Sequence, residues 1–197
     1  MNSYAWIDKH PYMIIENLVS KYGSDLEFEL TRYKSLSGHR LSNPGDITKV
    51  MANDFTRLNV IDWIESLGEG EDLALRSIVH CGDEIRHIPM IDFYLPRWSE
   101  DIKSRLTMLT SHQITDEYKI YSSGRSFHGY SPMLIDHDKW VMNMGALLLM
   151  NKDESPPLID ARWIGRRLAE GCGCLRWSSN SSHYHSLPSM LCDGSNV

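Results

Sequence analysis

The sequence predicts a mixed α/β (α+β) domain: a partly antiparallel sheet backed by helices, with an N-terminal helical segment. Three observations predict it. Apolar residues recur at helical spacing through the first third of the chain. The period then shortens to alternation, with turn residues between the alternating runs. Neighbouring alternating runs joined by short turns must pair antiparallel, so the sheet is not purely doubly wound.

Each element has its own signal. Pro11 suits a helix start, Ile14, Leu18 and Val19 form its apolar stripe, and Gly23 suits its stop. Residues 35–45, rich in Ser, Gly and Asn, read as an exposed loop. Asp46 is placed to cap a second helix whose stripe runs Ile47, Val50, Met51, Phe55, Leu58, Ile61 and Ile64, closed by Gly68. Residues 73–80 and 85–95 read as a hairpin around Cys81-Gly82-Asp83-Glu84, and Pro89 inside its second run demands an edge or a bulge. Ser99 caps a helix with Ile102, Leu106 and Leu109 inward. Residues 118–122 form a strand, Gly124-Arg125 a turn, and residues 127–135 the returning strand. Asp136 or Asp138 starts a helix that buries Trp140, Met144, Leu147 and Leu148. Pro156-Pro157 breaks the chain before a helix over 161–170, with Trp163, Ile164 and Leu168 inward and Gly171 at its end. Residues 172–177 alternate as a last strand, and the tail from Ser178 is polar. Residues 1–70 are expected to pack as a helical part on a core of residues 71–197, one compact domain overall.

Bulk properties narrow the function. The chain has 197 residues, 42% hydrophobic and 23% charged, which is ordinary globular composition. A net charge of -6 argues against a surface given over wholly to nucleic acid, and leaves room for a local basic groove. No apolar run approaches the ~18–20 residues of a membrane span, so no membrane contact is expected. Met1-Asn2-Ser3-Tyr4 leads straight into a mixed polar segment, so Cys81, Cys172, Cys174 and Cys192 are expected as reduced thiols in the cytoplasm. There is no Walker loop, no Gly-x-Gly-x-x-Gly, no Gly-x-Ser-x-Gly and no His-Glu-x-x-His.

Three apolar strands or strand ends carry polar residues. Asp92 lies in Met90-Ile91-Asp92-Phe93, where a carboxylate needs a cation, a metal or donors. Arg86 or Arg97 would satisfy it structurally; a metal or active-site role is the other reading. Ser126 and His128 share one strand face, with Gly124 and Arg125 before them, and together suit phosphate oxygens or a solvent-facing hairpin. Asp160 precedes a helix, where it caps, ligates a metal or does both. Arg162, Arg166, Arg167 and Arg176 make either a solvated face or a cationic rim, with Trp163, Trp177 and Tyr184 nearby for stacking or for the core. Cys172, Cys174, His183, His185 and Cys192 are legal zinc ligands at a spacing no standard finger uses, so buried or idle thiols are the preferred reading.

Taken in this order, Asp92, then Ser126-Phe127-His128, then Ile159-Asp160, and finally Leu175-Arg176-Trp177-Ser178 resemble the archaeo-eukaryotic primase superfamily, the primase-polymerases, most closely its small bacterial primase 1D-like members. The resemblance covers about residues 73–190. It implies an RRM-like sheet holding the site and metal-dependent nucleotidyl transfer from nucleoside triphosphates to a 3′-hydroxyl of DNA or RNA. It also implies Mg²⁺ or Mn²⁺ on Asp92 and Asp160, which are catalytic, and phosphate contacts from Arg125, Ser126, His128 and Arg176. A helicase or nuclease is the kind of protein partner it suggests. The family's first motif carries a second acid two residues after the first; here that position is Tyr94. Two-metal chemistry needs more carboxylate than this. Asp83 and Glu84 are the nearby acids available to substitute. The alternatives are a primase-like module that binds nucleotide or nucleic acid without chemistry, and an interaction protein with no ligand.

Overall fold

A computed structural model describes residues 4–34, 45–110, 118–153, 155–181 and 186–191, with only the backbone of 108–110. A short 3₁₀ turn, Ala5–Lys9, leads into helix α1, Met13–Tyr22, which ends at Gly23 as expected. Strand β1, Leu26–Lys34, follows; sequence periodicity did not single it out, although Leu26, Phe28 and Leu30 alternate inward. Of the expected loop over residues 35–45, residues 35–44 lie outside the described residues.

The segment expected as the start of a second helix is a strand, β2, Asp46–Met51, paired antiparallel with β1 from Glu27↔Met51 to Arg32↔Asp46. The spacing of Ile47, Val50 and Met51 also fits a helix face. β-Branched Ile47, Thr48 and Val50 favour extension once β1 offers an open edge. Helix α2 is confined to Arg57–Glu65, where Thr56 caps it by accepting from the Asn59 N–H. Leu58, assigned to the buried stripe, is 71% exposed.

The hairpin is present: β3, Glu71–Cys81, turns at Gly82 (φ 61°) into β4, Glu84–His87. Strand β5, Met90–Asp92, continues the same chain in a second sheet. Pro89 sits at this crossing, where a missing N–H costs no ladder bond. Helix α3, Glu100–Thr110, buries Ile102 and Leu106; the Leu109 side chain lies outside the described residues. Strands β6, Lys119–Ser122, and β7, Phe127–Tyr130, form the second hairpin, with β7 shorter than expected. Helix α4, His137–Leu148, is capped by Asp136, which accepts from the Lys139 N–H at 2.8 Å. Its Leu148, expected inward, is 37% exposed. Helix α5, Ala161–Glu170, ends at Gly171 in the left-handed conformation (φ 73°) that glycine adopts most readily. Strand β8, Cys174–Arg176, and a short β9, Ser189–Met190, complete the chain.

The result is the mixed α/β fold expected, with its pairing distributed over two antiparallel sheets. One runs β2-β1-β3-β4, with β8 also pairing with β3; the other runs β5-β7-β6-β9. Ser77 is the branch point. Its N–H donates to Gly173 O and its C=O accepts from Ile88 N, so β3 exchanges β4 for β8 there. One core packs α1 and α2 on the first sheet around Phe28, Leu75 and Trp177. The other packs α4 and α5 under the second sheet around Ile91, Phe93 and Trp140. Among the described residues, no helix is long and apolar enough to cross a membrane.

Candidate functional site

The site follows from strand register. In the β5–β7 pair, Asp92 stands opposite His128. On the other side of β5, an antiparallel bridge joins Phe93 to Ile159, and the Tyr94 N–H donates to Leu158 O at 2.7 Å. One step along that register, Asp92 stands opposite Asp160. Directly opposed residues share a face. His128, Asp92 and Asp160, far apart in sequence, therefore fall in one row across three adjacent segments.

Side-chain geometry refines the row. His128 Nε2 lies 3.7 Å from Asp92 Oδ1, beyond hydrogen-bond range. Burial, with Arg176 adding to it, holds the His128 imidazole down to about 3, so the ring is neutral. Its Nδ1 is buried with no partner among the described residues. Asp92 keeps 32% of its side chain exposed, yet its carboxyl is pushed up to about 7. Burial is the larger cause and the charge of Asp160 the next, with Arg167 and Arg176 pulling the other way. The cations that act on Asp92 are thus Arg167 and Arg176, not the Arg86 or Arg97 of the structural reading. Arg86 instead pairs with Glu84 at the hairpin turn. Asp160 caps α5, its Oδ1 accepting from Arg162 N at 2.8 Å.

A cavity of about 660 Å³ opens between the two sheets. Asp92, Tyr94, Arg125, Ser126, His128 and Arg176 line it; Asp160 is not among its lining residues and acts on it through Asp92. Ser126 is already engaged, donating to Phe93 O at 2.5 Å and accepting from Leu95 N at 3.1 Å, which ties β7 to the end of β5. Arg176 reaches from β8 to Ser123 O at 2.5 Å and so joins the first sheet to the β6–β7 turn. In that turn Gly124 (φ 89°) admits a close approach: an added Cβ would lie 2.9 Å from Ser186 Oγ. Tyr94, 63% exposed, stands where a second acid was sought. Asp83 and Glu84 do not line the cavity.

The structure sorts the arginines read as a rim and adds Arg76, which the sequence did not single out. Arg167 and Arg76 line the cavity, whereas Arg162 and Arg166 do not. Arg167 is buried and donates to Glu170 at 2.9 Å. Arg76 donates to Glu29 at 2.7 Å, and His80 lies 3.0 Å from the same carboxylate. A signal separating Arg167 from Arg162 and Arg166 existed: it follows Asp160 by seven positions, which on a helix is nearly the same face. Trp163 lines the cavity, while Trp177 is fully buried against His10 and Phe55. Of the proposed zinc ligands, burial raises the Cys172 thiol and pushes that of Cys174 to about 12. His183, His185 and Cys192, like Tyr184, lie outside the described residues. Among the described residues no group of three or more His, Cys, Asp or Glu could hold a metal ion.

A family model for archaeo-eukaryotic primase 1D-like (AEP-like) proteins matches residues 51–189, a span that holds Asp92, Ser126, His128, Asp160 and Arg176. No curated protein and no solved structure matches the chain.

Proposed function

The chain belongs to the archaeo-eukaryotic primase 1D-like family, and from that premise we propose that its cavity binds a nucleoside triphosphate and joins it to a 3′-hydroxyl of DNA or RNA. One observation carries this reading: Asp92, Arg125, His128, Arg167 and Arg176 converge on a single cavity of about 660 Å³. That volume falls within the ~300–1,000 Å³ of small-molecule sites. Arginine forks match phosphate oxygens in pairs, and a neutral imidazole donates one N–H to a phosphate. Ser126 braces the strand that carries Asp92 through its bonds to Phe93 and Leu95.

The residues present fit one divalent cation, Mg²⁺ or Mn²⁺. Asp92 and Asp160 face each other in register, and part of the rise in the Asp92 carboxyl comes from the Asp160 charge. A cation held by both would relieve that repulsion. Such a cation would supply positive charge against the triphosphate during attack by the hydroxyl. The work of the chain's own residues is to hold the triphosphate on Arg125, His128, Arg167 and Arg176 and to aim its α-phosphate along the Asp92 strand.

Tyr94 favours a second reading, nucleotide binding without transfer, because it occupies the position of the second acid and lines the cavity. Extension of a labelled primer with nucleoside triphosphates and Mn²⁺ separates the two. Elongated product supports transfer. Nucleotide binding by calorimetry that weakens in His128→Ala, with no elongation by the parent and a gain of elongation in Tyr94→Asp, supports the second. Absence of nucleotide binding in the parent chain removes both.

A further inference from the structure

Alternation beyond β5 turns Phe93 and Leu95 into the core under the second sheet and Tyr94 to the other face, the one that carries Asp92. Phe93 and Leu95 are 2% and 9% exposed, whereas Tyr94 is 63% exposed. Its backbone is nonetheless pinned. Tyr94 N donates to Leu158 O at 2.7 Å, and Phe93 N to Phe127 O at 3.0 Å. Leu95 N donates to Ser126 Oγ at 3.1 Å. A fixed stretch of chain therefore holds a large ring out of the core. Single exposed apolar residues are ordinary. Tyr94 differs in where it stands: of the large hydrophobic side chains exposed among the described residues, it alone lines the cavity. The other large rings there have other duties or places. Phe93 is buried, and Trp163 packs against both cores and donates from Nε1 to Cys174 O at 3.4 Å. Tyr33 stands on β1, in the sheet that does not carry Asp92.

We propose that the Tyr94 ring is the platform on which the base of the bound nucleoside triphosphate stacks. This rests on the reading of the cavity as a triphosphate site, and it holds with or without transfer. His128, Arg167 and Arg176 are buried, so phosphates held by them and by Arg125 leave the nucleoside on the open side, where Tyr94 is. Two positions of extended chain span about 6.5–7 Å, and a ribose bridges that distance from a phosphate beside Asp92 to the ring. Every base has a π-face, so stacking adds affinity with little choice between bases. A tyrosine ring has only two torsions to fix, and a pinned backbone lowers the ordering cost further. Arginines hold any polyphosphate; the ring is what distinguishes a nucleotide from inorganic polyphosphate.

The test is calorimetry of adenosine triphosphate and of inorganic tripolyphosphate, each with Mg²⁺, on the parent, Tyr94→Ala, Tyr94→Leu and Tyr94→Phe. Thermal unfolding of each is the folding control; the exposed ring supports no core, so all are expected to melt as the parent does. In Tyr94→Ala the ratio of adenosine triphosphate to tripolyphosphate affinity is expected to fall about tenfold, an ordinary loss for one stacked base. Tyr94→Leu, similar in bulk but without a π-face, is expected to fall with it, and Tyr94→Phe to stay within about twofold of the parent. An unaltered ratio in Tyr94→Ala overturns the inference, while nucleotide binding by the parent leaves the triphosphate reading standing. A ratio kept by Tyr94→Leu, or lost in Tyr94→Phe, overturns it as well, by assigning the contact to bulk or to the hydroxyl. A parent that binds neither ligand removes the triphosphate reading and this inference with it.

Discussion

Asp92 is where single-residue chemistry is most constrained. Above the ordinary carboxyl value of 3.8 the unfolded chain gives up this proton, whereas the folded chain keeps it until about 7. Between those limits the native state binds more protons, so the stability Asp92 contributes is lost as pH rises through that window. His128 acts in the opposite sense. Its folded value of about 3 lies below the ordinary 6.5, so the native state binds fewer protons there and stability rises with pH. Comparing Asp92→Asn with the parent cancels the histidine. The variant is expected to match the parent near pH 3.5 and to exceed it by about 1–2 kcal/mol at pH 8, the linkage value being reduced because part of the side chain meets solvent. Urea unfolding at the two pH values measures this; equal stability at pH 8 would mean the carboxyl is not held up by its surroundings. In the parent, Mn²⁺ binding is expected to tighten from pH 6 to pH 8, since protons compete for Asp92 below about 7. Asp92 could be picked out in the sequence by its chemical type alone. Its neighbours could not, because Asp160 and Arg167 lie 68 and 75 positions further along.

At the scale of one element, helix α5 combines structural and chemical duties. Asp160 caps it, and the same side chain bears on Asp92. Asparagine caps helices about as well as aspartate. Asp160→Asn is therefore expected to leave the melting temperature nearly unchanged while weakening Mn²⁺ binding at least about tenfold, through loss of a charged ligand. Calorimetry alongside thermal unfolding checks both. A large fall in stability with unaltered metal binding would make Asp160 a cap and nothing more. The bounds of α5 were readable because Asp160, Gly171 and the stripe between them are local signals. Its inward face was read less well: Leu168 is 38% exposed, and Arg167 takes an inward place, held by Glu170. For β2 the local signals allowed two answers, and pairing with β1 selected one.

At the scale of the whole molecule, residues before 71 are structural members of the sheet. β1 lies between β2 and β3 and pairs with β3 from Leu26↔Cys81 to Lys34↔Glu71, with one register shift between Phe28 and Leu30. His10 accepts from Tyr12 N through Nδ1, and its Nε2 lies 2.7 Å from Trp177 O, which ties the chain's beginning to the segment after β8. A fragment of residues 71–197 would leave the long inner strand β3 without β1 and expose Leu73, Leu75 and Val79. It is expected to show no cooperative thermal transition by circular dichroism, whereas the full chain melts cooperatively. A fragment that melts cooperatively would make the first seventy residues an appendage. By itself the sequence determined the fold class, most helix ends, both hairpins and the kinds of side chain at the site. Those features depend on neighbours a few positions away, through periodicity, caps and turn residues. Tertiary structure alone decided that β2 is extended, that the pairing divides between two sheets, and that Arg167 rather than Arg162 faces the acids. It also decided that His128, Asp92 and Asp160 share one row. The reason is that strand pairing brings distant segments together in a register no local window contains, and the Asp92 proton responds to the charges that arrive with them.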